Sequence, residues 1–273
     1  LPIETARRSI RTLPLPPAGR DDIIVPDRRT LLRTCTGFFA YALVAELRAA
    51  TSRPSSRSGR SWIAQHRELA EDLKSGTINQ AQWHTAVASL SRDVDLERLA
   101  AELRRARTRT AGVPFGHDPQ KRFVSVPDDD GRPSRLGYGL ALFDFGPGSV
   151  ITPHAHRYMV SAHLVIDGRV RVRTFDRLRD EANALIIRPT GDVVAEPGDA
   201  AAMTTPRDNV HWFVPQSARA MTLDVIIDGL VPGQDDYRIE PIDPLGGENL
   251  PDGTIRAPLI SFEQSMERYT SDR

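Results

Sequence analysis

Gly148-Ser149-Val150-Ile151-Thr152-Pro153-His154-Ala155-His156, continued as far as Gly168, organises the expectations for this chain. On an extended backbone successive side chains alternate, so His154 and His156 project to the same side. A β-barrel presents two imidazoles to one metal ion in this way. His211, in Asn209-Val210-His211-Trp212-Phe213, is the third candidate ligand. The three histidines predict a metal centre in the mouth of a small barrel, which the rest of the chain builds, fills or delivers.

Outward from that segment, the chain from Arg122 has the texture of short strands. Phe123-Val124-Ser125-Val126 is one, and Leu136 to Phe145 is a longer alternating one. Further strands are expected near 150–157, 160–166, 169–175, 184–188, 192–195, 200–204, 210–214 and 220–227. Gly, Pro, Asp and Asn separate them at short intervals. Many short strands with regular turns imply a sandwich or a barrel. Asp128-Asp129-Asp130-Gly131 reads as a solvated turn, because the ordered ligand spacing of a calcium loop is missing. Beyond Leu230 the chain returns to Pro, Gly and Asp, and residues 231–273 are expected as an extended tail around the barrel. That tail ends in an apolar patch, Leu259-Ile260-Ser261-Phe262.

The first part of the chain divides differently. Residues 1–26 are rich in Pro and Arg without an apolar period and read as disordered. Residues 27–50 carry Arg28-Arg29, an apolar run and the small-x-small triplet Ala40-Tyr41-Ala42. This reads either as a twin-arginine-like export signal or as an ordinary amphipathic helix, which leaves export and a cytoplasmic location both open. The run is shorter than the roughly 20 apolar residues of a stable membrane span. Residues 51–60 form a polar linker. A helical block, 61–110, follows: Trp62, Ile63, His66, Leu69, Ala70 and Leu73 fall at helical spacing, Asn79 with Gln82 reads as a capping box, and Asp95 opens a third helix. The barrel is expected over 111–230, and the helices are expected to pack on it or to offer a partner surface.

Composition narrows the chemistry. Over 273 residues the formal net charge is zero, so nothing global points to nucleic acid or an anionic membrane. The cations are almost all arginine; Lys74 and Lys121 are the only lysines. With Cys35 the single cysteine, an internal disulfide and a thiolate metal cluster are excluded, and a metal must use His and carboxylates. The chain has neither a serine-hydrolase elbow nor a phosphate loop.

Gly148, five residues, His154-x-His156 and then Gly168 resemble the first signature of the cupin superfamily. Gly191, five residues, Pro197-Gly198-Asp199 and then His211 resemble the second, with a longer interval before the histidine. The resemblance covers roughly residues 136–228 and implies a mainly β fold, a cupin-type barrel (double-stranded β-helix or jelly roll), here preceded by a small helical block. The family's glutamate, seven residues before the second signature glycine, is replaced by Ser161. Three neutral imidazoles leave a divalent ion's charge uncompensated, so such a site favours an anionic ligand: a thiolate, an enolate or a carboxylate.

Met159, Phe175-Asp176, Asn209-x-His211 and Leu223-Asp224-Val225 add a further resemblance, to the cysteamine and N-terminal-cysteine dioxygenases, three-histidine cupins that use iron and O2. Two features depart from them: Asp235-Asp236-Tyr237-Arg238 stands where a Tyr-Tyr or Cys continuation is expected, and a long helical block precedes the barrel. This resemblance implies His154, His156 and His211 on a divalent metal, Fe(II) first, with Zn, Ni, Cu and Mn as alternatives. The partners it implies are a small anionic substrate and O2, with a homo-oligomer left open. The alternatives are a non-catalytic metal-binding cupin with a protein-interaction role and a three-histidine dioxygenase of diketones or aromatics.

Two residues are further candidates for catalysis. His163 shares its strand face with Ser161 and is read as a fourth ligand, a hydrogen-bond donor behind the ligands, an acid/base or a core residue. Tyr138 is a candidate for the pocket wall. His66 and His84 read as packing or surface residues, and His117 as a turn residue. Arg169, Arg171 and Arg173 read as the solvent face of a strand, with Trp212 and Phe213 as core and pocket wall.

Overall fold

The computed structural model describes residues 61–126, 136–233 and 237–270. The readings placed on residues 1–60, on the Asp128–Gly131 turn and on Asp235-Asp236 lie outside the described residues. Among the described residues three helices come first: α1 (Trp62–Lys74), α2 (Gln80–Arg92) and α3 (Leu96–Arg105). Each starts where a polar side chain takes up an orphan backbone N–H. Ser61 Oγ accepts from Ala64, Asn79 and Gln82 form a reciprocal capping box, and Asp95 accepts from Arg98.

Thirteen strands follow: β1 (Arg107–Thr110), β2 (Gln120–Ser125), β3 (Gly139–Phe145), β4 (Ile151–Arg157), β5 (Val160–Asp167), β6 (Val170–Asp180), β7 (Ala184–Ala195), β8 (Ala200–Met203), β9 (Val210–Pro215), β10 (Ala220–Ile227), β11 (Arg238–Pro241), β12 (Glu248–Asn249) and β13 (Ile255–Pro258). A last helix, α4, spans Phe262–Tyr269. The strands form two sheets, a six-stranded one in the order β1-β2-β3-β10-β5-β8 and a seven-stranded one in the order β11-β4-β9-β6-β7-β13-β12. The fold is therefore mainly β, a cupin-type double-stranded β-helix preceded by a small helical block.

The six-stranded sheet is buried on both faces, and strand parity sorts its residues. Leu140 and Leu142 of β3, Val160, Ala162 and Leu164 of β5, and Leu223, Val225 and Ile227 of β10 share one core with Trp62, Ile63, Leu69, Trp83, Val87 and Leu99 of the helices. Burial of each large apolar side chain there contributes roughly 1.5–3 kcal/mol. Short amphipathic helices that could bury little alone thus cover the outer face of a sheet. The alternate residues Phe143, Ser161, His163, Thr222, Asp224 and Ile226 are left for the opposite, interior face.

This parity corrects the reading of Tyr138. It continues the outward-facing set of Leu140 and Leu142, packs against the helical core, and donates its hydroxyl hydrogen to the Ile63 carbonyl at 2.8 Å. It belongs to the helix–sheet seam.

Other expectations also shift. The two strands expected at 184–188 and 192–195 are one, β7, irregular where it passes Pro189 and Gly191 opposite Thr174 and Phe175 of β6. The tail is not simply extended. β11 adds to the edge of β4, β13 pairs with the first half of β7, and Ser261 and Gln264 form a capping box at the start of α4. Arg157 holds β11 in place by sharing its Nε–H between the two carboxylate oxygens of Glu240 at 2.7 and 2.8 Å, and Arg177 reaches the same carboxylate at 2.7 Å.

Two signature glycines have a steric cause. Gly148 and Gly168 sit at φ 79° and 68°, a region that disfavours residues with a Cβ. At Gly168 an added Cβ would also collide with the Arg219 carbonyl oxygen. No described helix is long and apolar enough to cross a membrane.

His66 lies in the helix–sheet core, its ring centroid 4.0 Å from that of Trp62 and both nitrogens without a partner. Burial lowers its pKa from 6.5 to about 3. Between those values the unfolded chain binds a proton that the folded protein does not. This contribution to stability is complete above the unfolded value and is lost as pH falls towards the folded one. Replacing His66 by Phe, which keeps a ring against Trp62, is expected to flatten that acid-side decline. Urea unfolding midpoints measured across a pH series check this, and an unchanged slope would refute it.

Candidate metal centre

β4 and β9 are neighbours in the seven-stranded sheet, with His154 directly opposite His211. Parity puts His156 beside His154, as the spacing requires. One nitrogen from each ring comes together, all within 4.8 Å of one another. His154 Nε2 and His156 Nε2 are 3.1 Å apart. Metal–nitrogen bonds of about 2.0–2.1 Å separate neighbouring ligand nitrogens by roughly 2.9–3.4 Å, so this pair already stands at ligand spacing.

The donor set also fits a metal in charge and tautomer. Burial lowers the pKa of His154 to about 4 and holds His156 and His211 well below the ordinary histidine value, assisted by mutual repulsion within the cluster. All three are neutral imidazoles at physiological pH, the state a metal requires. A carbonyl oxygen can only accept, so His154 Nδ1 must donate to Thr152 O at 2.8 Å, which leaves Nε2 with its lone pair free. His156 Nδ1 and His211 Nδ1 have no partner among the described residues.

Asn209 ties the two ligand strands together. Its Oδ1 accepts from the His156 backbone N–H at 3.3 Å, and its Nδ2 donates to the carbonyls of His156 and Thr204 at 3.0 Å each. The preceding residue, Asp208, holds a left-handed φ of 51° and receives His84 of α2 at 3.1 Å. His84 is therefore neither plain surface nor plain packing: it pins the loop that leads to the third histidine. His117 is exposed in its loop, and its carbonyl accepts from Val150 N–H.

A pocket of about 340 Å³ opens in front of the cluster, between the inner faces of the two sheets. The seven-stranded sheet supplies the three histidines. The six-stranded sheet supplies Phe143, His163, Asp224 and Ile226, and β2 supplies Lys121. His163 is not one of the three converging residues; its ring centroid lies 6.1 Å from that of His211. Its Nδ1 is 3.0 Å from Thr222 Oγ1 and its Nε2 is 3.5 Å from Asp224 Oδ1. Burial holds the His163 pKa well below the usual value and raises that of Asp224 well above its own, so both shifts disfavour an ion pair here. Ser161 is buried with its Oγ unpartnered, one step along the same strand face. Met159, singled out by its spacing, is buried at the pocket.

Asp224 and Lys121 take a place at the site that the sequence reading did not assign them. The available signal for Asp224 was a lone acid inside the apolar run Met221–Ile227. The rim was not legible at all. Tyr237, Ile239, Phe262 and Met266 come from the tail, brought there by β11 pairing with β4 and by α4. Arg169, Arg171 and Arg173 do not line the pocket: Arg171 pairs with Asp192 at 2.7 Å, and the Arg173 guanidinium lies 4.0 Å from the Trp212 ring centroid.

No protein-family model matches the chain, and no curated protein matches it. Among solved structures, an uncharacterized conserved protein with a double-stranded beta-helix domain from Klebsiella pneumoniae subsp. pneumoniae matches over 46% of this chain and 88% of that one, at 15% identity and a TM-score of 0.30. KdgF from Halomonas sp. matches over 43% and 84%, at 20% identity and 0.30. An oxalate oxidase structure matches over 48% and 58%, at 16% identity and 0.31. At these values the reading of the fold rests on the strand order and the reading of the site on its own geometry.

Replacing His211 by Ala is expected to abolish retention of a divalent metal while leaving the fold intact. Elemental analysis after gel filtration checks this, and an undiminished metal content would refute the three-ligand assignment.

Proposed function

We propose that this chain is a metal-dependent cupin enzyme, a non-haem iron dioxygenase that adds O2 to a small anionic substrate, with a thiol as the first candidate. The observation that supports this most directly is the donor set: three uncharged imidazoles without a carboxylate, His156 and His211 buried and His154 partly so, facing a pocket open to a small molecule. Held by His154, His156 and His211, a ferrous ion supplies a cationic seat for an anion and redox access to O2. The same imidazoles would also hold Zn, Ni, Cu or Mn.

The protein's own contribution is orientation and proton placement. Thr152 and Asn209 fix the ligand strands, so the imidazoles hold geometry rather than exchange protons. A thiol must lose a proton to bind as an anion. His163, uncharged and on the facing wall, is the acceptor we assign, with Thr222 steadying its ring. Burial raises the pKa of Asp224 well above the usual carboxylate value, which lessens the negative charge it would set against the substrate.

A second reading draws support from the aromatic lining. Phe115, Phe143 and Phe262 suit a three-histidine dioxygenase that acts on the enolate of a diketone or on an aromatic. A non-catalytic metal-binding cupin is the alternative from another class.

Anaerobic loading with Fe(II), then O2 consumption on panels of thiols, diketones and aromatics, separates these readings. Thiol-dependent O2 uptake with loss of the free thiol is the expected result. Failure to take up iron would sink the iron-enzyme reading, and uptake of O2 only with a diketone or aromatic would transfer it to the second class.

A further inference from the structure

Lys121 is one of two lysines in the chain, and the structure puts it at the metal site. It stands on β2 opposite Phe143 of β3, so strand parity sends both to the interior side. Its Nζ lies 5.1 Å from the ring centroid of Phe143 and 5.1 Å from that of Phe123, within cation–π range. Phe143 in turn lies 5.1 Å from His163, ring to ring, so the ammonium sits one aromatic ring away from the wall that faces the metal cluster. Among the described residues no carboxylate reaches Lys121 at ion-pair distance, whereas Arg122 beside it has Asp144 at 3.7 Å.

A half-buried ammonium that leans on two aromatic faces, with no counter-ion among the described residues, is an open place for an anion. The acids nearby do not fill it. Asp118, at the pocket mouth, senses its charge without pairing with it. Asp224 is turned towards His163. An ammonium group brought in by a substrate would meet a like charge here, and like charges brought together at a binding site repel.

Resting on the dioxygenase reading above, we propose that Lys121 determines specificity by receiving a second anionic group of the substrate, a carboxylate. The substrate class is then a short-chain thiol that bears a carboxylate, rather than an aminothiol. The thiolate occupies the metal seat, the carboxylate pairs with Lys121, and the carbon chain between them lies against Phe143.

The full chain, loaded with Co(II) under anaerobic conditions, tests this by calorimetry and by the thiolate-to-cobalt absorption band. Three probes are titrated: 3-mercaptopropionate, cysteamine and succinate. The expected result is 3-mercaptopropionate binding at least tenfold more tightly than cysteamine. Lys121→Met should erase that preference and Lys121→Arg should largely keep it, with cobalt content and thermal unfolding unchanged in both. Equal binding of the two thiols, or a preference that survives Lys121→Met, overturns the proposal. Succinate, which has no sulfur, separates the two readings. If no thiol gives the absorption band while succinate binds and is weakened by Lys121→Met, the thiol reading fails and the anion role of Lys121 stands. If succinate and both thiols are all indifferent to Lys121→Met, the role of Lys121 fails whatever becomes of the thiol.

Discussion

Three imidazole nitrogens brought within 4.8 Å of one another repel if protonated, so the cluster favours the uncharged form of each. Burial enforces this by holding each pKa below the ordinary histidine range. The surrounding architecture follows from keeping that cluster dry and fixed. β4 and β9 are locked in register by Asn209, β4 is flanked on its free edge by β11, and the six-stranded sheet closes over the front. His156 Nδ1, His211 Nδ1, Ser161 Oγ and Asp224 Oδ1 are buried here without a hydrogen-bond partner among the described residues. A site of this kind costs stability, and the apolar clusters on either side of it offset the cost.

Strand parity decides what each sheet can do. Because the side-chain period is two, a strand buried on both faces must be apolar towards one neighbour and can carry chemistry towards the other. β10 shows the division within a single strand: Leu223 and Val225 meet the helices, while Thr222 and Asp224 meet the site. The helical block is therefore what allows the six-stranded sheet to face inward with polar groups at all. His84 extends this dependence, since α2 reaches past the sheet to hold Asp208 and, through it, the loop before His211.

The parts of the site legible in the sequence were those written in local spacing. His154-x-His156 is a statement about one strand, the signature glycines are statements about single dihedral angles, and Asn79 with Gln82 is a statement about one helical turn. What escaped was set by pairing across long separations. Tyr138 had the right chemistry for a pocket wall, but its parity became readable only once Leu140 and Leu142 were seen against the helices. Tyr237, Ile239, Phe262 and Met266 reach the rim because a strand near residue 240 adds to one near residue 155. No local pattern encodes that choice of edge. The capping box at Ser261 and Gln264 was local, and it was hidden only by the Pro- and Gly-rich texture around it.

The charge balance of the pocket gives the substitution at Ser161 its meaning. A carboxylate in the ligand set would offset part of a divalent ion's charge and lessen the site's need for an anion. Here that position is an uncharged, buried hydroxyl, burial disfavours the charged form of Asp224, and Lys121 adds a positive charge of its own. The loss at residue 161 and the gain at residue 121 act in the same direction, and both fall on the inner side of one sheet. A pocket that withholds negative charge at the ligand set and supplies positive charge along its wall favours an anion, the charge carried by the substrate proposed above.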